Sequence, residues 1–187
     1  MKELLILLAA MVTCTSSATA APDPAEVLSA PTKIGTQGLI SGKFIYPLEG
    51  RQTPECHAST IVSTPTGLVA AWFGGKHEKN PDVGIWVSRF EDDQWTRPRE
   101  VVNGVQSNQL RGPGWNPDQI EITAGILHLL YEVGETPDAW WGMLVTSCNG
   151  GKSWTRPTSL RKASEIGHIM GPVKNRPHHL SVGPVLC

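Results

Sequence analysis

The sequence predicts an all-β fold assembled from a repeated unit of short strands, and three observations lead there. Trp95-Thr96-Arg97-Pro98 recurs as Trp154-Thr155-Arg156-Pro157, 59 positions later, with the same order of signals upstream of each copy. The apolar runs in both copies are short, rich in β-branched and aromatic residues, and bounded by Gly, Pro, Asn or Asp. No comparable stretch carries the three-and-four spacing of an amphipathic helix. Composition agrees: of 187 residues, 18% are charged and 40% apolar, the proportions of a folded domain and not of a disordered chain. Lys+Arg 16 against Asp+Glu 17 gives a net charge of −1, which excludes the basic stripe of an electrostatic nucleic-acid binder. Seven Trp against three Phe and two Tyr suit a β-rich core or sugar-stacking rings.

Taken in order, Met1-Lys2-Glu3 precedes the apolar run Leu4–Val12, which is too short to span a bilayer, and Ala18-Thr19-Ala20 offers a small-x-small cleavage site. This predicts a signal peptide over residues 1–20, cleaved after Ala20, and a secreted or periplasmic product with no membrane span. Met11-Val12-Thr13 is a poor lipobox ahead of Cys14. Residues 21–42 read as a lead-in and 43–187 as the folded domain. Cleavage leaves Cys56, Cys148 and Cys187, an odd number that does not describe a disulfide framework, and no Cys-x-x-Cys pair supports a zinc ribbon or thioredoxin-type site.

The first copy places strands at Gly67–Gly74 and Val83–Ser88. Val83, Ile85 and Val87 alternate with Gly84 and Trp86, a two-residue period. The second copy places strands at Gly125–Tyr131 and Gly142–Ser147. Ser147-Cys148-Asn149-Gly150-Gly151-Lys152-Ser153-Trp154 then reads as a tight turn, with Asn149 bonding loop amides and the glycines permitting positive φ. Ser88–Trp95 has the same length but carries Glu91-Asp92-Asp93 where the glycines stand, a degenerate copy. A third copy starts at Asn175-Arg176-Pro177-His178-His179-Leu180, paralleling Asn116–Ile120, and Gly183–Cys187 looks like a strand beginning. Two units and a stub are expected to leave strand edges and apolar flanks uncovered.

Ser147–Trp154 resembles the Asp-box of sialidases, with Asn149 at the Asp position and Ser153 at the Thr position. A wider set of segments accompanies it: Glu55–Thr60, Phe73–Glu78, Pro81–Trp86, Trp115-Asn116-Pro117 and Gly171–Pro177. Together they are similar to the sialidase-like (predicted neuraminidase, BNR/Asp-box repeat) family of secreted β-propellers, from about Tyr46 to Cys187. The resemblance implies a six-bladed β-propeller of four-stranded antiparallel blades, of which this chain carries about two blades and the start of a third. It further implies a glycoside hydrolase acting on a terminal acidic sugar without a redox cofactor, with carbohydrate as its partner, no nucleic acid, and an active site incomplete in this chain. The alternatives are a non-catalytic carbohydrate-binding propeller and a truncated gene product without activity of its own. Phe44–Leu48 carries no Arg where the family has the first of its arginine triad, and Tyr131-Glu132 stands where close relatives more often have Tyr-Lys.

Glycoside hydrolysis uses an acid and a base or nucleophile about the reacting bond. Asp82, in a Pro-Asp loop before a strand, is the first candidate acid/base, and its other reading is a turn cap. Glu78 follows Gly74-Gly75 in a polar loop and reads equally as a solvated carboxylate. His57 precedes the apolar strand Ala58–Val62. Imidazoles suit proton transfer near neutrality, and a structural histidine is its alternative. Lys174 and Arg176 flank Asn175 and suit the carboxylate or sulfate of an acidic sugar, or a plain surface pair. Trp115-Asn116 offers a stacking ring beside a hydroxyl-binding amide, or a core ring. Trp86, Trp140 and Trp141 read as packing, with sugar stacking the lesser option. His178-His179 has no third ligand at metal spacing, so no metal site is expected.

Overall fold

The computed structural model describes residues 43–123, 125–161, 169–173, 178–179 and 185–186. Two antiparallel sheets carry the repeat. The first holds β1 (Glu55–Thr64), β2 (Gly67–Gly75) and β3 (Gly84–Glu91), with β4 (Gln94–Trp95) and β5 (Arg99–Asn103) both pairing with β3. A small hairpin of β6 (Val105–Ser107) and β7 (Leu110–Arg111) leads to the second sheet. There β8 (Gly114–Thr123), β9 (Ile126–Val133), β10 (Trp141–Ser147) and β11 (Thr158–Ser159) lie side by side in chain order. In the third repeat β12 (His178–His179) pairs with β13 (Val185–Leu186). The sheets are successive blades of an incomplete β-propeller, with β1 and β8 innermost. Among the described residues no helix is long and apolar enough to cross a membrane.

The blades bury one face each against the other. Val69, Ala71 and Phe73 of β2, Ile85 and Val87 of β3, Leu127, Leu129, Tyr131 and Val133 of β9, and Met143 and Val145 of β10 form a single cluster. Every second residue of each strand enters it, as the pleat requires. The alternation read from Val83–Val87 is therefore the core-facing set of the first blade.

The turn of the second copy closes as the sequence predicts. Asn149 Oδ1 accepts from Ser153 N and from Ser147 Oγ, both at 2.9 Å, while its Nδ2 donates to Ser153 Oγ at 2.8 Å. Gly150 and Gly151 hold φ of +64° and +80°, which side-chain-bearing residues seldom adopt. Asn149→Ala is expected to cost about 1–3 kcal/mol, because it strands Ser153 and Ser147. Asn149→Asp retains both acceptor roles and is expected to stay close to wild type. Urea denaturation of the two variants checks this pair, and equal losses would contradict the turn's dependence on the acceptor oxygen.

The degenerate copy departs from the expected equal length. Thr96 Oγ1 accepts from Arg89 N, seven positions away, whereas Thr155 Oγ1 accepts from Thr146 N, nine positions away. The first-blade hairpin is thus two residues tighter. Glu91 pairs with Gln94, and the intervening Asp92 and Asp93 both take positive φ, at 49° and 61°. Aspartate tolerates this region, so the turn forms without glycine. The cysteine reading also needs correcting. Cys148 is disulfide-bonded and Cys56 is free and exposed, since an odd count does not exclude a single bridge.

Candidate active site at two matched bulges

The innermost strands break register at the same place. In β1, His57 pairs with Phe73 and Thr60 with Ala71, so Ala58 and Ser59 share the space opposite Trp72. In β8, Trp115 pairs with Glu132 and Asp118 with Leu130, so Asn116 and Pro117 share the space opposite Tyr131. The first residue of each bulge is left-handed without being glycine: Ala58 has φ 47° and Asn116 φ 35°. Such a backbone costs on the order of 1–2 kcal/mol, most for alanine, and bulges of this kind re-aim side chains beside functional sites. The bulge also accommodates Pro117, which has no N–H to give the ladder.

The two bulges wall a cleft of about 730 Å³ lined by His57, Ser59, Asn116, Asp118 and Trp140. Thr60 Oγ1 donates across the blade boundary to Asp118 Oδ1 at 3.4 Å, and Gln119 N donates to the same oxygen at 2.8 Å. Trp140 brings a half-buried ring whose indole N–H has no partner among the described residues. A second cleft of about 460 Å³ takes in Arg51, Glu55, His57 and Glu78. His57 lines both, with its ring edge-on to Phe73 at 5.7 Å.

The sequence-predicted residues divide. His57, Glu78 and Asn116 line these clefts. Glu78 N donates to Glu55 Oε2 at 3.3 Å, which brings a second carboxylate to the pocket. Asp82 turns its Oδ1 to the Lys76 amide at 3.2 Å, while its own amide donates to Asn80 Oδ1 at 3.0 Å, so it shapes the β2–β3 loop. Trp115 is 4% exposed. Its indole N–H donates to the Gly134 carbonyl at 2.7 Å, and it packs against Phe73 and Trp140 with ring centroids 5.7 and 5.1 Å away. It supports the cleft from beneath. Lys174 and Arg176 lie outside the described residues. Among those described, no group of three His, Cys, Asp or Glu side chains is arranged to hold a metal ion.

Arg51, Glu55 and Asp118 escaped the sequence reading, and Glu132 entered it only as a departure from the family pattern. Arg51 lies just past Phe44–Leu48, where an arginine is missing, and its guanidinium is fastened to the Leu48 and Pro54 carbonyls at 3.3 and 3.2 Å. Glu132 sits beneath the β8 bulge with no exposed surface, and neither carboxyl oxygen has a hydrogen bond of ordinary geometry with a described residue. Burial pushes its pKa up to about 8. The Asn116 amide partly opposes this rise and the Asp118 carboxylate adds to it.

Comparison with known proteins bears on the fold. A family model described as "BNR repeat-like domain" matches residues 66–187. No curated protein matches the chain. Among solved structures, an alpha-L-arabinofuranosidase from Lactobacillus brevis aligns at 14% identity and TM-score 0.51, covering 72% of this chain and 45% of that one. A protein of unknown function from Dyadobacter fermentans DSM 18053 aligns at 17% identity and TM-score 0.49, covering 70% and 45%. The chain spans about 45% of the length of either structure. At such identity, the likeness to the arabinofuranosidase is one of fold.

Proposed function

This chain belongs to the BNR repeat-like domain family, and on that premise we propose that it is a secreted, sialidase-like glycoside hydrolase acting on a terminal acidic sugar. The observation that carries the reading is the pair of matched bulges, which gather His57, Asn116, Asp118 and Trp140 around one cleft. In this reading Trp140 stacks on the sugar ring, Asn116 binds a hydroxyl, and Arg51 holds the sugar carboxylate, with Lys174 and Arg176 adding positive charge. His57 gives a proton to the glycosidic oxygen as the C–O bond breaks. Water adds its hydroxyl to the anomeric carbon and releases its proton to Glu78 or Glu55. Asp82 acts through the loop that carries Glu78.

A propeller that binds carbohydrate without cleaving it is the second reading. It is favoured by the use of the Asp82 carboxylate in backbone capping. The test assays the chain against 4-nitrophenyl glycosides of a sialic acid, glucuronic acid and L-arabinofuranose. The expected result is hydrolysis of an acidic glycoside that falls by about 100-fold or more in His57→Asn, in line with the worth of a general acid, with unchanged melting. Binding without turnover, abolished by Trp140→Ala, would replace the hydrolase with the binder. Turnover indifferent to His57 would overturn the assigned chemistry.

A further inference from the structure

A third groove, of about 300 Å³, lies away from the bulges. Its walls are Arg89, Arg97, Arg99 and Glu100 of the first blade and Lys152, Ser153 and Trp154 of the second-blade turn. Its charges are unevenly used. Glu91 engages both Arg89 and Lys152, and Glu100 is paired with Arg111 at 3.4 Å. Arg97 and Arg99 make no ion pair with any described residue. The balance is four cations against the two carboxylates Glu91 and Glu100. An independent feature points the same way: the Trp154 indole N–H is enclosed at this groove without an acceptor among the described residues. The Ser153 hydroxyl accepts from Asn149 Nδ2, which leaves its own proton to donate. Two guanidinium groups, an indole N–H and a hydroxyl form a donor set with no acceptor of their own among the described residues.

We propose that this groove is an anion-binding site for the sulfate or carboxylate groups of an acidic polysaccharide, separate from the cleft at the bulges. Guanidinium groups grip such oxyanions through paired, charge-assisted hydrogen bonds. The repeat supplies an internal control. Arg156 is the sequence counterpart of Arg97 in the second copy, yet it does not line the groove.

The experiment titrates the full chain with a heparin tetrasaccharide and, separately, with inorganic sulfate, by calorimetry at two salt concentrations. The wild type is expected to bind the tetrasaccharide more tightly than sulfate. The double variant Arg97→Gln/Arg99→Gln is expected to lose about tenfold or more in affinity and about two units of salt slope, one for each lost cation contact. Trp154→Phe keeps the ring, removes the N–H, and is expected to weaken binding several-fold. Arg156→Gln is expected to change nothing. Circular dichroism melts confirm that each variant is folded. An equal loss from Arg156→Gln, or no loss from the double variant, would overturn the site. Sulfate binding as tightly as the tetrasaccharide would overturn the polysaccharide as its ligand.

Discussion

Glu132→Gln is expected to stabilise the protein at pH 8 by on the order of 3 kcal/mol and to leave it nearly unchanged at pH 5. The side chain has no exposed surface, and neither carboxyl oxygen has a hydrogen bond of ordinary geometry with a described residue. Burial raises its pKa to about 8, from 4.5 in the exposed state. Between those values the folded chain keeps a proton that the unfolded chain has released. Stability therefore falls as pH rises through this window and levels off above it, once both states are ionised. Below the lower value both states are protonated and the penalty vanishes. The amide of Gln cannot ionise, so the variant should lose this slope. Urea denaturation from pH 5 to pH 8.5 compares the two proteins, and parallel curves would show that Glu132 does not carry the pH dependence.

The second large effect is expected at Trp115. Truncation to Ala removes a ring that contacts Phe73 and Trp140 and leaves the Gly134 carbonyl without its 2.7 Å donor. Losses of this kind run to about 3–5 kcal/mol, much of a small domain's total stability. Trp115→Phe keeps most of the packing and gives up only the hydrogen bond, for about 1–2 kcal/mol. Because Asn116 follows Trp115 directly at the bulge, the Ala variant should also lose the cleft. Thermal melts rank the three proteins, and a Trp115→Ala melt close to wild type would contradict the supporting role given to this ring.

Legibility followed burial. The strands with one face in the inter-blade core, β2, β3, β9 and β10, announce themselves through runs such as Gly67–Phe73 and Ile126–Tyr131. Of the innermost strands, only the Ala58–Val62 part of β1 is legible, and β8 is not. Glu55-Cys56-His57-Ala58-Ser59-Thr60 and Gly114-Trp115-Asn116-Pro117-Asp118 are polar, and each shifts register at a bulge, which erases the two-residue period that identifies a strand. The outer strand β5 (Arg99–Asn103) is too short to carry a pattern.

The site was legible through motif residues and opaque where topology assembles it. His57, Glu78 and Asn116 were named from local context. Arg51, Glu55 and Asp118 join them only because the β1 and β8 bulges face one cleft and the preceding loop folds back over β1. Trp140 and Trp141 are adjacent and look alike in sequence, but their surroundings differ. The Arg161 guanidinium covers Trp141 at 4.1 Å, while Trp140 lines the cleft. Tyr131-Glu132 carried a visible signal, an acid where relatives have Lys, but nothing in the sequence shows how deeply that acid is buried.

The cleft between the bulges is, on this proposal, a sugar site. Its most direct test follows the indole and side-chain amide resonances by proton–nitrogen NMR while the chain is titrated with the methyl α-glycoside of a sialic acid. Saturable shifts of the Trp140 indole and the Asn116 side chain are expected. The Trp86 indole, hydrogen-bonded to the Gly74 carbonyl at 3.2 Å, should stay in place. Saturable shifts that spare Trp140 and Asn116, or none with this glycoside or its glucuronic acid and arabinofuranose counterparts, would contradict the proposal.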